Sequence, residues 1–210
     1  LLSPLAWARI DVTDFGAAGD GRTDDYYAIQ NALDTARDGE QIYFPIGIYK
    51  IGRGLKVKHA AARLVGENAR WSMIYANGRL SPGEYMISWS APANNASIER
   101  LYVHGQSPAA AQGIDDARGI LLPRANSVTI DHVIISHCGR GLVTAGGTQH
   151  RYDTLHIAGC YYGAYLVGNH ALCATNCTFE ACQTLGMFML SVDCSTFTSC
   201  WWEWNRTYAL

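Results

Sequence analysis

Four carboxylates and six aromatic or basic side chains have types and spacing that could do chemistry: Asp115, Asp116, Glu180 and Glu203, with Trp201, Trp202, Tyr161, Tyr162, Arg140 and His156. Two carboxyl groups several ångströms apart can serve a glycosidic bond as acid and as base or nucleophile. Aromatic faces beside them can hold sugar rings. Asp115-Asp116 is the most visible pair. Successive side chains on a strand point to opposite faces, so both would meet one substrate only from a loop, and a solvated loop tip is the plainer reading. Glu180 follows apolar Phe179 and should point to solvent. Trp201, Trp202, Glu203 and Trp204 form an aromatic, charged rim, unless the indoles pack against other coils or a neighbouring subunit. His132 and His137 read as surface or turn residues; His156 shares an outward column with Ile134 and Thr178.

What must position these groups is a repeat. Val128, Ile130, Val133, Ile135 and Cys138 return 22 residues later as His150, Tyr152, Leu155, Ile157 and Cys160. A further 22 residues bring Leu172, Ala174, Cys177, Phe179 and Cys182. A last copy, Leu190, Val192, Ser195, Phe197 and Cys200, follows at 18, because Thr196-Phe197-Thr198-Ser199-Cys200 echoes Thr178-Phe179-Glu180-Ala181-Cys182. Short runs beginning at Gly141, Gly163 and Gly186 follow the cysteines. A period of this length means a repeat architecture, and the alternation within each unit is that of strands. Each unit is too short for strand, crossover helix and strand. The pattern predicts an all-β parallel solenoid in which Ile135, Ile157, Phe179 and Phe197 form one internal stack and Cys138, Cys160, Cys182 and Cys200 another. Asp131, Asp153 and Asp193 are expected at one recurring turn, where Asp can bond its own backbone. An antiparallel sandwich is the alternative.

Charged residues are 16% and apolar ones 49%, with 21 Gly and 12 Tyr, which suits a turn-rich all-β domain. With a net charge of −2 and no basic run, nucleic acid is excluded as a partner. No stretch approaches 18 apolar residues, so no membrane-spanning helix is expected. Seven cysteines, an odd number with most on one repeat position, predict a reduced internal ladder rather than disulfides, since buried free Cys behaves as a small apolar residue. No CxxC pair is present, so no metal site or cofactor is assigned. Of the sequons at Asn95, Asn176 and Asn205, Asn176 falls within an expected strand.

Residues 1–11 read as a linker, 12–39 as an opening loop and capping helix, and 40–210 as coils cut short at the C-terminal side. Thr23 or Asp24 can cap a helix whose apolar Ala28, Ile29, Ala32, Leu33 and Ala36 recur at helical spacing, and Gly39 stops it. Such a helix would cover the open sheet edges at the solenoid end. Gln106 to Arg118 is an insertion between a unit with Val103 in the place of Ile135 and the later ones; it must leave the coil as a loop.

The tract from Val12 to Asp25, with Ala28-Ile29-Gln30 and Tyr43-Phe44-Pro45-Ile46-Gly47-Ile48-Tyr49, resembles the opening signature of the pectate-lyase-like superfamily. The resemblance implies a right-handed parallel β-helix with an N-terminal capping helix. Among the superfamily the chain looks most like a bacteriophage tailspike or polysaccharide depolymerase. That implies a homotrimer in the virion tail, folded in the host cytoplasm, attached to other tail or baseplate proteins and directed at a bacterial surface polysaccharide. Two alternatives share the signature: a secreted polygalacturonase- or pectate-lyase-like enzyme, and a non-catalytic adhesion or structural module. The Asn-Thr-Asp, Gly-His-Gly and Arg-Ile-Lys motifs of polygalacturonases are absent, as is the clustered carboxylate–arginine face that a calcium-dependent lyase needs.

Overall fold

The computed structural model describes residues 9–76, 80–105 and 117–206. Each sequence repeat is one coil, and a coil contributes in turn to three parallel sheets. The first sheet stacks Arg9–Asp11, Gln41–Phe44, Arg63–Gly66, Ser97–Glu99, Thr129–Asp131, Arg151–Asp153, Cys173–Thr175 and Thr196–Thr198. The second stacks Asp20–Asp24, Gly47–Ile51, Ser72–Ala76, Tyr102–Gly105, Ile134–Ser136, His156–Ala158, Thr178–Glu180 and Trp201–Glu203. The third stacks Leu55–Val57, Tyr85–Trp89, Arg118–Asn126, Arg140–Thr148, Tyr162–His170 and Leu185–Leu190. Every pairing is parallel, so like residues sit over like at about 4.8 Å per step.

The interior follows from alternation. In the second sheet Val103, Ile135, Ile157 and Phe179 are register neighbours and almost wholly buried. Burying each stabilises the fold by about 1.5–3 kcal/mol. The next rung corrects the expected stack: Trp202, not Phe197, pairs with Phe179, its ring stacked at 5.7 Å and 18°. Phe197 belongs to the first sheet opposite Ala174. The last copy is therefore offset by 23 residues rather than 18. Cys138, Cys160 and Cys182 stack as predicted, but Cys200 lies one corner earlier, with Cys177 in the coil below. The fourth place in the cysteine column is taken by buried Asn205, whose Oδ1 accepts from the Cys182 amide at 3.0 Å and whose Nδ2 donates to the Phe179 carbonyl at 2.9 Å.

From the Ser97 strand onward the corners turn on residues with φ between 47° and 60°. Arg100, His132, Thr154, Asn176 and Ser199 turn the chain from first sheet to second; His137, Ala181 and Trp204, with Gly159, turn it toward the third; Ser127, Gln149, Ala171 and Cys194 return it to the first. A non-glycine residue there costs about 1 kcal/mol, offset by the ladder bonds that the corner permits. Asn176 is thus an exposed corner residue, not a strand residue as the sequence suggested, and an asparagine is among the side chains that tolerate this conformation best. Asp193 also leaves its expected column: Thr175 follows Asp153, and Asp193 instead bridges to His170 at the third corner.

Gly119, Gly141, Gly163 and Gly186 begin the third-sheet run of successive coils, where the backbones approach closely. A Cβ on Gly163 would lie 2.1 Å from the Gly186 carbonyl oxygen, and one on Gly141 2.6 Å from that of Gly163.

The helix Tyr26–Thr35 closes the first coils, burying Ile29, Ala32 and Leu33. Its N-cap is Asp25, whose carboxylate accepts from the Ala18 and Gly19 amides at 2.6 and 3.1 Å and so ties the opening loop rather than the helix. Asp24 bonds the Tyr26 amide at 3.1 Å in its place. The helix ends at Ala36, before Gly39. Gln30 fixes it to the coil beneath through the Lys56 carbonyl and amide, both at 2.9 Å.

Candidate functional site: the corner between the first and second sheets

Outward residues of the first sheet form two columns. Glu99, Asp131 and Asp153 are successive register partners in one; Ser97, Thr129 and Arg151 in the other. They line a shallow depression of about 190 Å³ made by Glu99, Thr129, Asp131, Arg151 and Asp153. Glu99 is held by Arg63 at 3.3 Å, Arg100 at 3.6 Å and the Ser97 hydroxyl at 2.9 Å. Asp131 meets His132 Nδ1 at 2.7 Å, and the Thr154 hydroxyl donates to Asp153 at 3.4 Å. Beyond the corner a second depression of about 210 Å³ is lined by Ala69, Arg70, His132, Ile134, Thr154 and His156.

His156 leads onto the second sheet. Its Nε2 lies 2.9 Å from Glu180 Oε1, and Glu180 has Glu203 as its register partner in the next coil. The Trp201 indole N–H donates to Glu203 Oε2 at 3.0 Å. The structure thus brings His156, Glu180, Glu203 and Trp201 together, with Ala158 and Glu203, rather than Ala158 and Thr198, flanking Glu180. Trp201 is 61% exposed. Trp202, expected on this rim, packs inward on Phe179 and Phe197. Arg140, Tyr161 and Tyr162 lie past the next corner: Arg140 and Tyr162 are register partners on the third sheet, and the Arg140 guanidinium sits 5.0 Å from the Tyr165 ring centre. Asp115 and Asp116 lie outside the described residues.

Sequence reasoning treated Asp131 and Asp153 as turn formers and did not single out Glu99 or Arg151. The signal was the 22-residue step from Asp131 to Asp153 at an outward strand position. The 32 residues from Glu99 to Asp131 concealed the third member.

Two coils before Glu180 in the same outward column stands Ser136, and His104 lies one coil further. His104 Nδ1 is 2.8 Å from Ser136 Oγ, which the Tyr102 hydroxyl also meets at 2.9 Å; the ring stacks on Tyr75. Burial, and secondarily the neighbouring His137, hold the His104 pKa down to about 4. The unfolded imidazole takes up a proton near pH 6.5 while the folded one does not until about pH 4. Stability present above pH 6.5 is therefore lost as pH falls toward 4. Solvent reaches part of the ring, so we expect a loss of about 1–2 kcal/mol rather than the full linkage value. Urea midpoints at pH 7.5 and 4.5 should show it, and His104→Phe should flatten that acid limb. An unchanged limb in the variant would refute the assignment.

Residues 9–107 match the Rhamnogalacturonase A/epimerase, pectate lyase-like family. The preneck appendage protein of Bacillus phage PZA is 26% identical over 162 residues, which is 72% of this chain and 18% of the phage protein. Among solved structures, Geobacillus virus E2 ORF18 superposes with a TM-score of 0.79 at 21% identity, covering 91% of this chain and 41% of that one. The phiAB6 tailspike, solved with three-repeated oligosaccharides of Acinetobacter baumannii surface polysaccharide, does so at 0.71 and 20% identity over 95% of this chain and 39% of its own. The chain spans less than a quarter of the length of the curated relatives it matches. The coils and lid helix make a right-handed parallel β-helix like that of these solved structures, and residues 9–107, just under half of the chain, are similar to the pectate-lyase-like family.

Proposed function

We propose that this chain is the β-helical body of a phage tail appendage or tailspike that binds a bacterial surface polysaccharide along the first-to-second-sheet corner and cleaves it with Glu180 and Glu203. The observation that carries the reading is the joined cluster of His156, Glu180, Glu203 and Trp201. It continues from the depression at His132, Thr154 and His156. The indole offers a face for a sugar ring, and the two carboxylates stand one coil apart. Backbones one coil apart stand about 4.8 Å from each other, which lets the two carboxyl groups reach the roughly 5–5.5 Å separation of enzymes that act through a covalent glycosyl intermediate. One carboxyl would protonate the leaving oxygen while the other attacks the anomeric carbon; water then releases the sugar with the first acting as base. On this reading the chain is a homotrimer attached to other tail proteins in the virion, with 12–39 as opening loop and lid and 40–210 as coils; the likeness to phage appendages supports the virion placement.

The test is incubation of the protein with purified capsule or lipopolysaccharide, following release of oligosaccharides and the anomeric configuration of the first product. Retention is expected, and Glu180→Gln or Glu203→Gln should each slow release about 10²–10⁴-fold with binding kept. Release unaffected by either variant would remove these residues from the reaction. Binding without release would make the chain a non-catalytic receptor-binding module.

A further inference from the structure

Inside the solenoid, where the third sheet turns back to the first, four buried polar side chains come together. Thr144 and Asn169 belong to the third sheet, His150 precedes the first-sheet strand Arg151–Asp153, and Tyr152 lies within it. The coils on either side are apolar at the same points. Leu122 and Leu166 are the register partners of Thr144, and Ile130 and Ala174 are those of Tyr152. Val128 and Leu172 stand 22 residues before and after His150. Asn169 Nδ2 donates to the Thr144 hydroxyl at 2.8 Å and to the Val167 carbonyl at 3.3 Å. Its Oδ1, both ring nitrogens of His150 and the Tyr152 hydroxyl are buried and have no hydrogen-bond partner among the described residues. Asn169 faces His150 and Thr144 faces Tyr152, yet neither pair closes to a hydrogen bond. The His150 and Tyr152 ring centres stand 6.1 Å apart at 31°. A buried polar atom without a partner costs the whole of its lost hydration, a penalty that an apolar side chain in its place would avoid.

We propose that Thr144, His150, Tyr152 and Asn169 enclose a binding site for one water molecule held inside the coil. A neutral imidazole has one donor and one acceptor nitrogen. The water donates to Asn169 Oδ1 and to the bare nitrogen of His150, and it accepts from the Tyr152 hydroxyl. Those are the three or so bonds usual for a buried water. The chemistry of the site calls for a neutral ligand. None of the four residues is an Asp, Glu, Lys or Arg, and burial pushes the His150 pKa down, which keeps the imidazole uncharged at neutral pH. An anion would want donors only and a cation acceptors only; this mixture of both suits water. The bridge so formed joins the third sheet to the first from within.

A crystal structure of the chain at a resolution that shows ordered waters tests it. We expect one spherical peak within about 2.7–3.2 Å of Asn169 Oδ1, of one His150 nitrogen and of the Tyr152 hydroxyl. A dry site, with His150 bonded directly to Asn169 and Tyr152 to Thr144, would overturn the proposal. Oxygen-17 magnetic relaxation dispersion counts long-lived waters in solution. The native chain should hold one more than the double variant His150→Leu, Tyr152→Phe, which borrows the leucine of the next coil and keeps the aromatic ring; equal counts would overturn the site. Should the double variant fail to fold, Tyr152→Phe alone decides by the sign of its effect. Loss of a hydroxyl that bonds water should lower the urea midpoint, whereas removal of a hydroxyl with no partner would leave the midpoint unchanged or raise it, and either result would overturn the proposal.

Discussion

Gly163→Ala is expected to cost about 3 kcal/mol. The added Cβ would stand 2.1 Å from the Gly186 carbonyl oxygen, a main-chain atom held by the coil above. A flexible side chain could swing aside; a ladder carbonyl moves only with its whole coil. A Cβ on Gly141 would likewise lie 2.6 Å from the Gly163 carbonyl oxygen, and one on Gly186 2.6 Å from the Asn205 side-chain nitrogen, so spreading one step would strain the next. Overpacking in a close-packed interior costs about 1–3 kcal/mol even where side chains can give, and here the obstacle is backbone. Urea unfolding measures the loss. The matched control is Gly146→Ala, whose Cβ would meet nothing within 4 Å and whose left-handed φ of 76° carries a modest strain alone. Equal losses in the two variants would show that coil separation at Gly163 is not the limit.

The second large effect separates two phenylalanines that look alike in sequence. Phe179→Ala should cost about 3–5 kcal/mol, because it empties a fully buried site and removes the ring on which Trp202 stacks. Phe197→Ala should cost clearly less, because that ring is half-buried on the last rung of the first sheet, against Ala174. Denaturation midpoints of the two variants make the comparison. Equal losses would restore the equivalence suggested by Thr178-Phe179-Glu180 and Thr196-Phe197-Thr198.

That false equivalence shows what could be read from the chain. Three copies at 22 residues put Ile135, Ile157 and Phe179 in one column, and the coordinates agree. The fourth failed because three matching letters in a run of five outweighed geometry. A parallel ladder pairs residues at the same point of the circuit, and an 18-residue step would skip part of the third-sheet strand Leu185–Leu190. Counting one circuit of three strands and three corners gives Cys177 to Cys200 and Phe179 to Trp202. Corner residues were illegible for another reason: most are not glycine, so Ala181 or Ser199 carries no mark of its left-handed φ. At the site, the outward direction of Glu180 and His156 was legible from alternation. Glu203 beside Glu180 was not, since it depends on the corrected register.

One consequence of the 22-residue step is kinetic. Thr129 pairs with Arg151 and Arg151 with Cys173, so most tertiary contacts join segments about a tenth of the chain apart. That relative separation is typical of helical bundles rather than of sheet proteins. Folding should then advance as a front, each completed circuit serving as the template on which the following one zips, in the manner of one-dimensional growth from a seed. A lesion would halt the front where it lies and leave earlier circuits ordered, so hydrogen exchange on Gly163→Ala should find slow amides before the block and fast ones after it.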